Sequence, residues 1–311
     1  MDFAKFKDEI CACDTPRCDS TICTYCYNLM WLAKRIEGFT ETEHPEFATI
    51  MDYLTENKIP ARRRQASLVA MKVLCNTRGD KDGSEKYARP LIDVKNELLR
   101  DYERQERTEH QQKNWVDCNE LKKAAKELRA ATFALDKHSL WDKDTYARAQ
   151  LAFILTFHLK YPLRRILCTV RYKPDDPNVG NVLDEKNKKI IIREHKMQRK
   201  YKDPFVFQLD RNMWRLVQLL RRQHKLRGVT RNSPILLSRY WKPMSRNSYC
   251  HWLKREMGKM ECCKGKSVGC LAIRHSVITH RRRNDTTLQA RKEFAYNCMH
   301  QVATNELYRV H

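Results

Sequence analysis

The sequence predicts a mainly α protein with one small β-sheet, arranged as a helical N-terminal domain and a larger α+β domain. Three observations carry this. Apolar residues recur at spacings of three and four through most of the chain. Two short β-rich runs stand together after residue 188 and break that helical pattern. Only 8 glycines and 10 prolines occur in 311 residues, against 41% hydrophobic residues, which excludes disorder and turn-rich all-β architectures. A chain this long is about twice the usual size of one domain, so two domains are expected.

The elements follow in order. In "STICTYCYNLMWLAKRIEG", Ser20 or Thr21 can cap a helix whose apolar face is Ile22, Tyr25, Leu29, Leu32 and Ile36. "HPEFATIMDYLTENK" reads as a second helix with Pro45 near its first turn. "PARRRQASLVAMKVLCN" is a third, opening on Arg62, Arg63 and Arg64. "PLIDVKNELLRDYERQERTEHQQKN" is a long fourth that turns very polar, so residues 104–114 form the expected linker. We therefore divide the chain at 1–110 and 111–311.

The second part opens with "NWVDCNELKKAAKELRAATFAL", capped by Asp117 or Asn119 and supported by Glu120. "DTYARAQLAFILTFHLKY" is apolar all round, as a buried helix is, and stops at Pro162. "KIIIREH" and "PFVFQLD", separated by the basic "KMQRKYK", read as a hairpin or small sheet. Helices resume in "RNMWRLVQLLRRQHK", in "SRNSYCHWLKREMGKM" behind Ser245 or Asn247, in "GCLAIRHSVITHRRR" and in "LQARKEFAYNCMH".

Charge is the strongest global signal. Lys+Arg number 61 against 38 Asp+Glu, a formal +23. Such an excess repels itself unless a polyanion neutralises it, and nucleic acid is the usual partner. Arg62, Arg63, Arg64, Arg165, Lys200, Arg281, Arg282 and Arg283 are the candidate DNA contacts. Two basic domains on a hinge would suit a clamp around double-stranded DNA. No basic amphipathic helix suited to a membrane surface is evident, and no membrane span is expected. "MDFAKFKDEI" has no apolar leader segment, and the 13 scattered cysteines read as reduced thiols. A cytoplasmic or nuclear protein, not a secreted one, is expected. Cys11, Cys13, Cys18, Cys23 and Cys26 suggest zinc at first sight. Cys23 and Cys26 fall on the predicted first helix, however, and no second pair with histidines follows at finger spacing, so neither metal nor cofactor is expected.

Five residues of the second part make a candidate active centre: Arg164 in "YPLRRILC", Lys196 in "REHKMQRKYK", Arg274 in "LAIRHSVITH", and His300 and Tyr308 in "MHQVATNELY". Each alone has a plain structural explanation. Their order resembles the boxes of the tyrosine recombinases, the phage integrase family, and especially members from eukaryotic transposons and large DNA viruses. The resemblance implies a SAM-like core-binding domain followed by a tyrosine-recombinase catalytic domain. It implies a site-specific recombinase or integrase of a mobile element or virus, acting as a tetramer on two DNA sites. Tyr308 would attack one strand and hold it as a 3′-phosphotyrosyl bond. Arg164 and Arg274 would clamp the scissile phosphate, Lys196 would be the general acid, and His300 would assist. Arg165 and Lys200 remain alternatives to Arg164 and Lys196.

The chemistry suits the residue types. A phosphate under attack by an oxygen becomes crowded and negative, and two guanidinium forks hold such oxygens by charge-assisted bonds. A phenol with a pKa near 10 needs a positive site to react, and the leaving 5′-oxygen needs a proton. Two positions depart from the family pattern. Leu271 stands where the second box usually has histidine, and Leu167 stands where an acid often follows the first arginine. A catalytically degenerate DNA-binding protein of the same fold, or a type IB topoisomerase-like enzyme, are the alternative readings. In this sequence only three residues follow Tyr308, fewer than the trailing helix of many relatives requires.

Overall fold

The computed structural model describes residues 3–11, 19–40, 43–172, 180–195, 202–284 and 287–300. Backbone contacts divide the chain into two compact units, residues 1–104 and 105–311.

The first unit is all helical: α1 (Phe3–Cys11), α2 (Asp19–Ala33), α3 (Phe47–Glu56), α4 (Ala61–Thr77), α5 (Lys81–Lys86) and α6 (Ala88–Arg104). Its core collects Phe6 and Ile10 from α1, Leu29 and Leu32 from α2, Ile50 and Leu54 from α3, and Leu68, Met71 and Leu74 from α4. The central helix is α4, which packs on α1, α2, α5 and α6. Helix α3 begins after Pro45, with Glu46 at its cap. Helix α6 is shorter than its polarity pattern suggests. It ends at Arg104, Gln105 takes a left-handed φ of 55°, and a new helix begins further on.

That helix, α7 (Glu109–Lys113), opens the second unit behind a capping box in which Thr108 and Gln111 bond each other's backbone. There follow α8 (Cys118–Ala134), α9 (Lys143–Lys160), a 3-10 turn (Leu167–Thr169), β1 (Val182–Asp184), β2 (Lys189–Ile192), β3 (Phe205–Gln208), α10 (Arg211–Leu226), α11 (Arg246–Gly258), α12 (Cys270–Asn284) and α13 (Leu288–Asn297). Asp117 and Glu120 form the expected capping box of α8, and Ser245 caps α11. The apolar helix α9 is buried from Tyr146 almost to its end, with α8, α10, α11 and α12 packed around it.

The sheet is antiparallel in the order β1-β2-β3, with Leu183 opposite Ile190 and Ile190 opposite Phe207. One residue in two faces the core, so Leu183, Ile190, Ile192, Phe205 and Phe207 are buried while Val206 is 41% exposed. Among the described residues no helix is long and apolar enough to cross a membrane.

Candidate active site

The centre of the site is a buried arginine. On α12 the residues Ile273, Val277 and Ile278 face the core, and Arg274 shares that face at 1% exposure. A guanidinium taken out of water must spend its donors on fixed acceptors. Arg274 does so on the ends of two helices. Nη1 donates to the carbonyl of Pro162, just beyond α9. Nη2 donates to the carbonyl of Cys298 at 2.8 Å and lies 2.7 and 2.6 Å from the two ring nitrogens of His300. A cation at the C-terminal ends of helices is favourable, because the last carbonyls there lack partners within the helix.

His300 is placed by the way α13 stops. The N–H of Met299 bonds the carbonyl of Tyr296, and the N–H of His300 bonds the carbonyl of Ala295 at 2.9 Å. Those two bonds define a Schellman turn with Cys298 as the C-cap. Met299 fills the left-handed position that glycine usually takes, at φ 52°. That conformation costs about 1 kcal/mol or more for a residue with a side chain. It turns the chain so that His300 sits against Arg274 rather than running on with the helix.

A histidine that sequence reasoning missed lies beside the arginine. His158 of α9 is fully buried, and its Nε2 is 3.4 Å from the hydroxyl of Tyr249. Burial first, and then the charge of Arg274, lower its pKa to about 3, so it is a neutral neighbour. Nothing in "FILTFHLKY" distinguishes this histidine from a core residue, and only the crossing of α9 with α12 gives it that neighbour.

Arg164 follows the buried Leu163 and is exposed, in the irregular segment between α9 and the 3-10 turn. No α-helix opens there. Arg165 is exposed too, and its Nη1 donates to Asn247 of α11 at 3.0 Å. Leu167 is fully buried, so a carboxylate there would sit in the core. Leu271, one turn before Arg274, is 55% exposed. His275 points elsewhere, with its Nε2 3.5 Å from Gln111 of α7. Thus the segments carrying the first arginine, the second arginine and the terminal histidine meet at Arg274. Lys196, Lys200 and Tyr308 lie outside the described residues, as do Cys13 and Cys18.

The remaining candidate DNA contacts divide by helix face. Successive residues on a helix point about 100° apart, so a run of three cannot share one surface. Arg62 is exposed and donates to the hydroxyl of Tyr102 at 2.8 Å. Arg63 donates to Asn28 at 2.9 Å and lies over the rings of Tyr27 and Trp31. Arg64 forms a two-pronged ion pair with Glu97 at 2.7 Å. In "ITHRRRN", Arg281 and Arg283 are exposed, but Arg282 is 6% exposed and turns inward.

The match to one solved integrase agrees with this architecture. The Tn1549 transposon integrase in complex with transposon right end DNA superposes with a TM-score of 0.61 at 13% identity, over 99% of this chain and 94% of that one. XerA recombinase gives 0.43 at 13% identity, over 98% and 92%. XerH site-specific recombinase bound to its difH substrate gives 0.44 at 12% identity, over 98% and 91%. The chain therefore has the tyrosine-recombinase fold, on the strength of the integrase match: mainly helical, with the small three-stranded antiparallel sheet of that family's catalytic domain. No family model and no curated protein matches the sequence.

Proposed function

We propose that the protein is a site-specific DNA recombinase that breaks and rejoins strands through a tyrosine. Tyr308 attacks the scissile phosphate. Its phenol gives up its proton to His300 or water, its oxygen bonds phosphorus, and the bond from phosphorus to the 5′-oxygen breaks. Lys196 gives the leaving oxygen its proton, and Arg164 and Arg274 hold the negative charge. The released 5′-hydroxyl of a partner strand reverses the step, so the phosphotyrosyl ester stores the energy for rejoining. Exchange between two duplexes calls for four copies of the chain on two DNA sites. The single observation that carries this reading is the junction at Arg274, where the segments bearing Arg164 and His300 meet.

The test is covalent capture on a nicked duplex from which the released piece diffuses away. The wild-type chain is expected to yield a denaturant-resistant DNA adduct. Tyr308→Phe is expected to bind the same duplex and yield none. An adduct from the Phe variant overturns the assignment.

A second reading is favoured by a specific observation. Arg274 is 1% exposed, with donors committed to carbonyls, and the exposed Leu271 offers no proton or phosphate contact. A DNA-binding protein that keeps the fold without the chemistry fits those two facts. It is distinguished by duplex binding with no adduct from the wild-type chain.

A further inference from the structure

In the first unit, three residues from two separate segments bring together donors of three kinds. The Nε2 of His44, the Sγ of Cys75 and a carboxylate oxygen of Asp80 all lie within 4.8 Å of one another. His44 Nε2 is 3.9 Å from Cys75 Sγ and 3.9 Å from Asp80 Oδ2. We infer that His44, Cys75 and Asp80 form a binding site for a zinc-class transition metal ion.

Each ligand is set up for that role. The other ring nitrogen of His44, Nδ1, is 3.1 Å from the carbonyl of Pro45. A carbonyl only accepts, so Nδ1 carries the proton and Nε2 presents its lone pair to the cluster. Metal-bound histidines are oriented by this kind of outer contact. Asp80 caps α5, and its Oδ1 accepts the N–H of Gly83 at 2.8 Å. The carboxylate lies so close to that helix turn that a Cβ on Gly83 would be 1.9 Å from Oδ2. Glycine there makes room for the carboxylate. Cys75 is fully buried at the end of α4.

An independent feature points the same way. Tyr87, the C-cap of α5, is 1% exposed, and its hydroxyl has no hydrogen-bond partner. Its electrostatic neighbours are Cys75 and Asp80. A buried hydroxyl without a partner is costly, and a water completing the metal's coordination would supply one. Mixed sulfur, nitrogen and oxygen donors select zinc over calcium or magnesium, which take oxygen alone. With bonds of about 2.0–2.3 Å, tetrahedral zinc needs donor separations of about 3.3–3.6 Å, so each 3.9 Å separation from His44 closes by about half an ångström. One thiolate and one carboxylate neutralise the dication. The ion would fasten the segment before α3 to the junction of α4 and α5. Because these residues are 31 and 5 positions apart, no spacing motif marks them.

The experiment uses the full chain, stripped with a chelator and titrated with cobalt(II), then zinc. A thiolate-to-cobalt charge-transfer band with tetrahedral d–d absorption is expected, saturating at one ion per chain and lost when zinc displaces cobalt. Cys75→Ser should lose the charge-transfer band, and Cys23→Ser with Cys26→Ser should keep it. His44→Ala, at the less deeply buried position, guards against misfolding of the buried variant. Chelator should lower the melting temperature of the wild type and leave that of His44→Ala unchanged. Absence of the thiolate band from the wild type, its survival in Cys75→Ser, or an unaltered chelator effect in His44→Ala would overturn the inference.

Discussion

Among single residues, Arg274 carries two roles, one structural and one proposed. It closes the C-terminal ends of α9 and α13 and fixes His300, so it is a structural brace as well as a proposed phosphate ligand. Removing its guanidinium strands the carbonyls of Pro162 and Cys298 that accept from it. Arg274→Met is expected to lower stability by about 1–3 kcal/mol, measured by denaturant unfolding. Arg274→Lys keeps the charge but not the fork. It is expected to lower the rate of covalent capture by roughly 10²–10³. A Lys variant that captures DNA at the wild-type rate would leave Arg274 with the structural role alone. The sequence made the arginine visible through the Arg-His pair inside an apolar helix. Its burial was not visible, because its acceptors are main-chain carbonyls of Pro162 and Cys298, which no residue type advertises.

At the element scale, legibility followed length and periodicity. The buried α9 and the capped α8, α10 and α11 declared themselves, as did the pair β2 and β3. Helix α5 did not, since "KDGSEK" has no apolar periodicity, and Asp80 caps it over Gly83. Gly83→Ala is expected to displace that cap and cost about 1 kcal/mol or more, seen as a lower melting temperature. β1 has three residues, too few for an alternating pattern. The expected fourth helix ran on too far because polarity alone does not end a helix, whereas the box of Thr108 and Gln111 starts another. Helices α9 and α10 also carry a pH dependence. Burial, helped by Arg274 and Arg227 respectively, lowers His158 to about 3 and His224 to about 4. Unfolded histidine titrates near 6.5, so the unfolded chain binds these protons first. Stability is therefore whole above about pH 6.5 and falls on acidification toward pH 3–4, by about 1.4 kcal/mol per pH unit for each histidine. Unfolding free energies at pH 7 and pH 5 check this, and His158→Gln is expected to reduce the slope.

For the whole molecule, charge and fold agree. A formal +23 accompanies the tyrosine-recombinase fold, and phosphate neutralisation makes the proposed DNA binding steeply salt-dependent. For six to ten phosphate contacts, the slope of log affinity against log salt is expected near −5 to −9. Replacing the exposed Arg281 and Arg283 with alanine is expected to reduce that slope by about two, whereas a slope unchanged in the double variant would place the contacts elsewhere. The fold was readable from the sequence because the apolar helices are local patterns. The site as a three-dimensional object was readable only in part, since it is assembled by backbone groups at helix ends.

Tyr308 is the proposed nucleophile. The most direct measurement digests the covalent adduct formed on a pool of nicked duplexes and maps the nucleotide-bearing peptide by mass spectrometry. The expected result is a 3′-phosphotyrosyl link on the peptide containing Tyr308. A link on Tyr296 or any other residue, or a chain that binds the duplexes and never becomes attached, would contradict it.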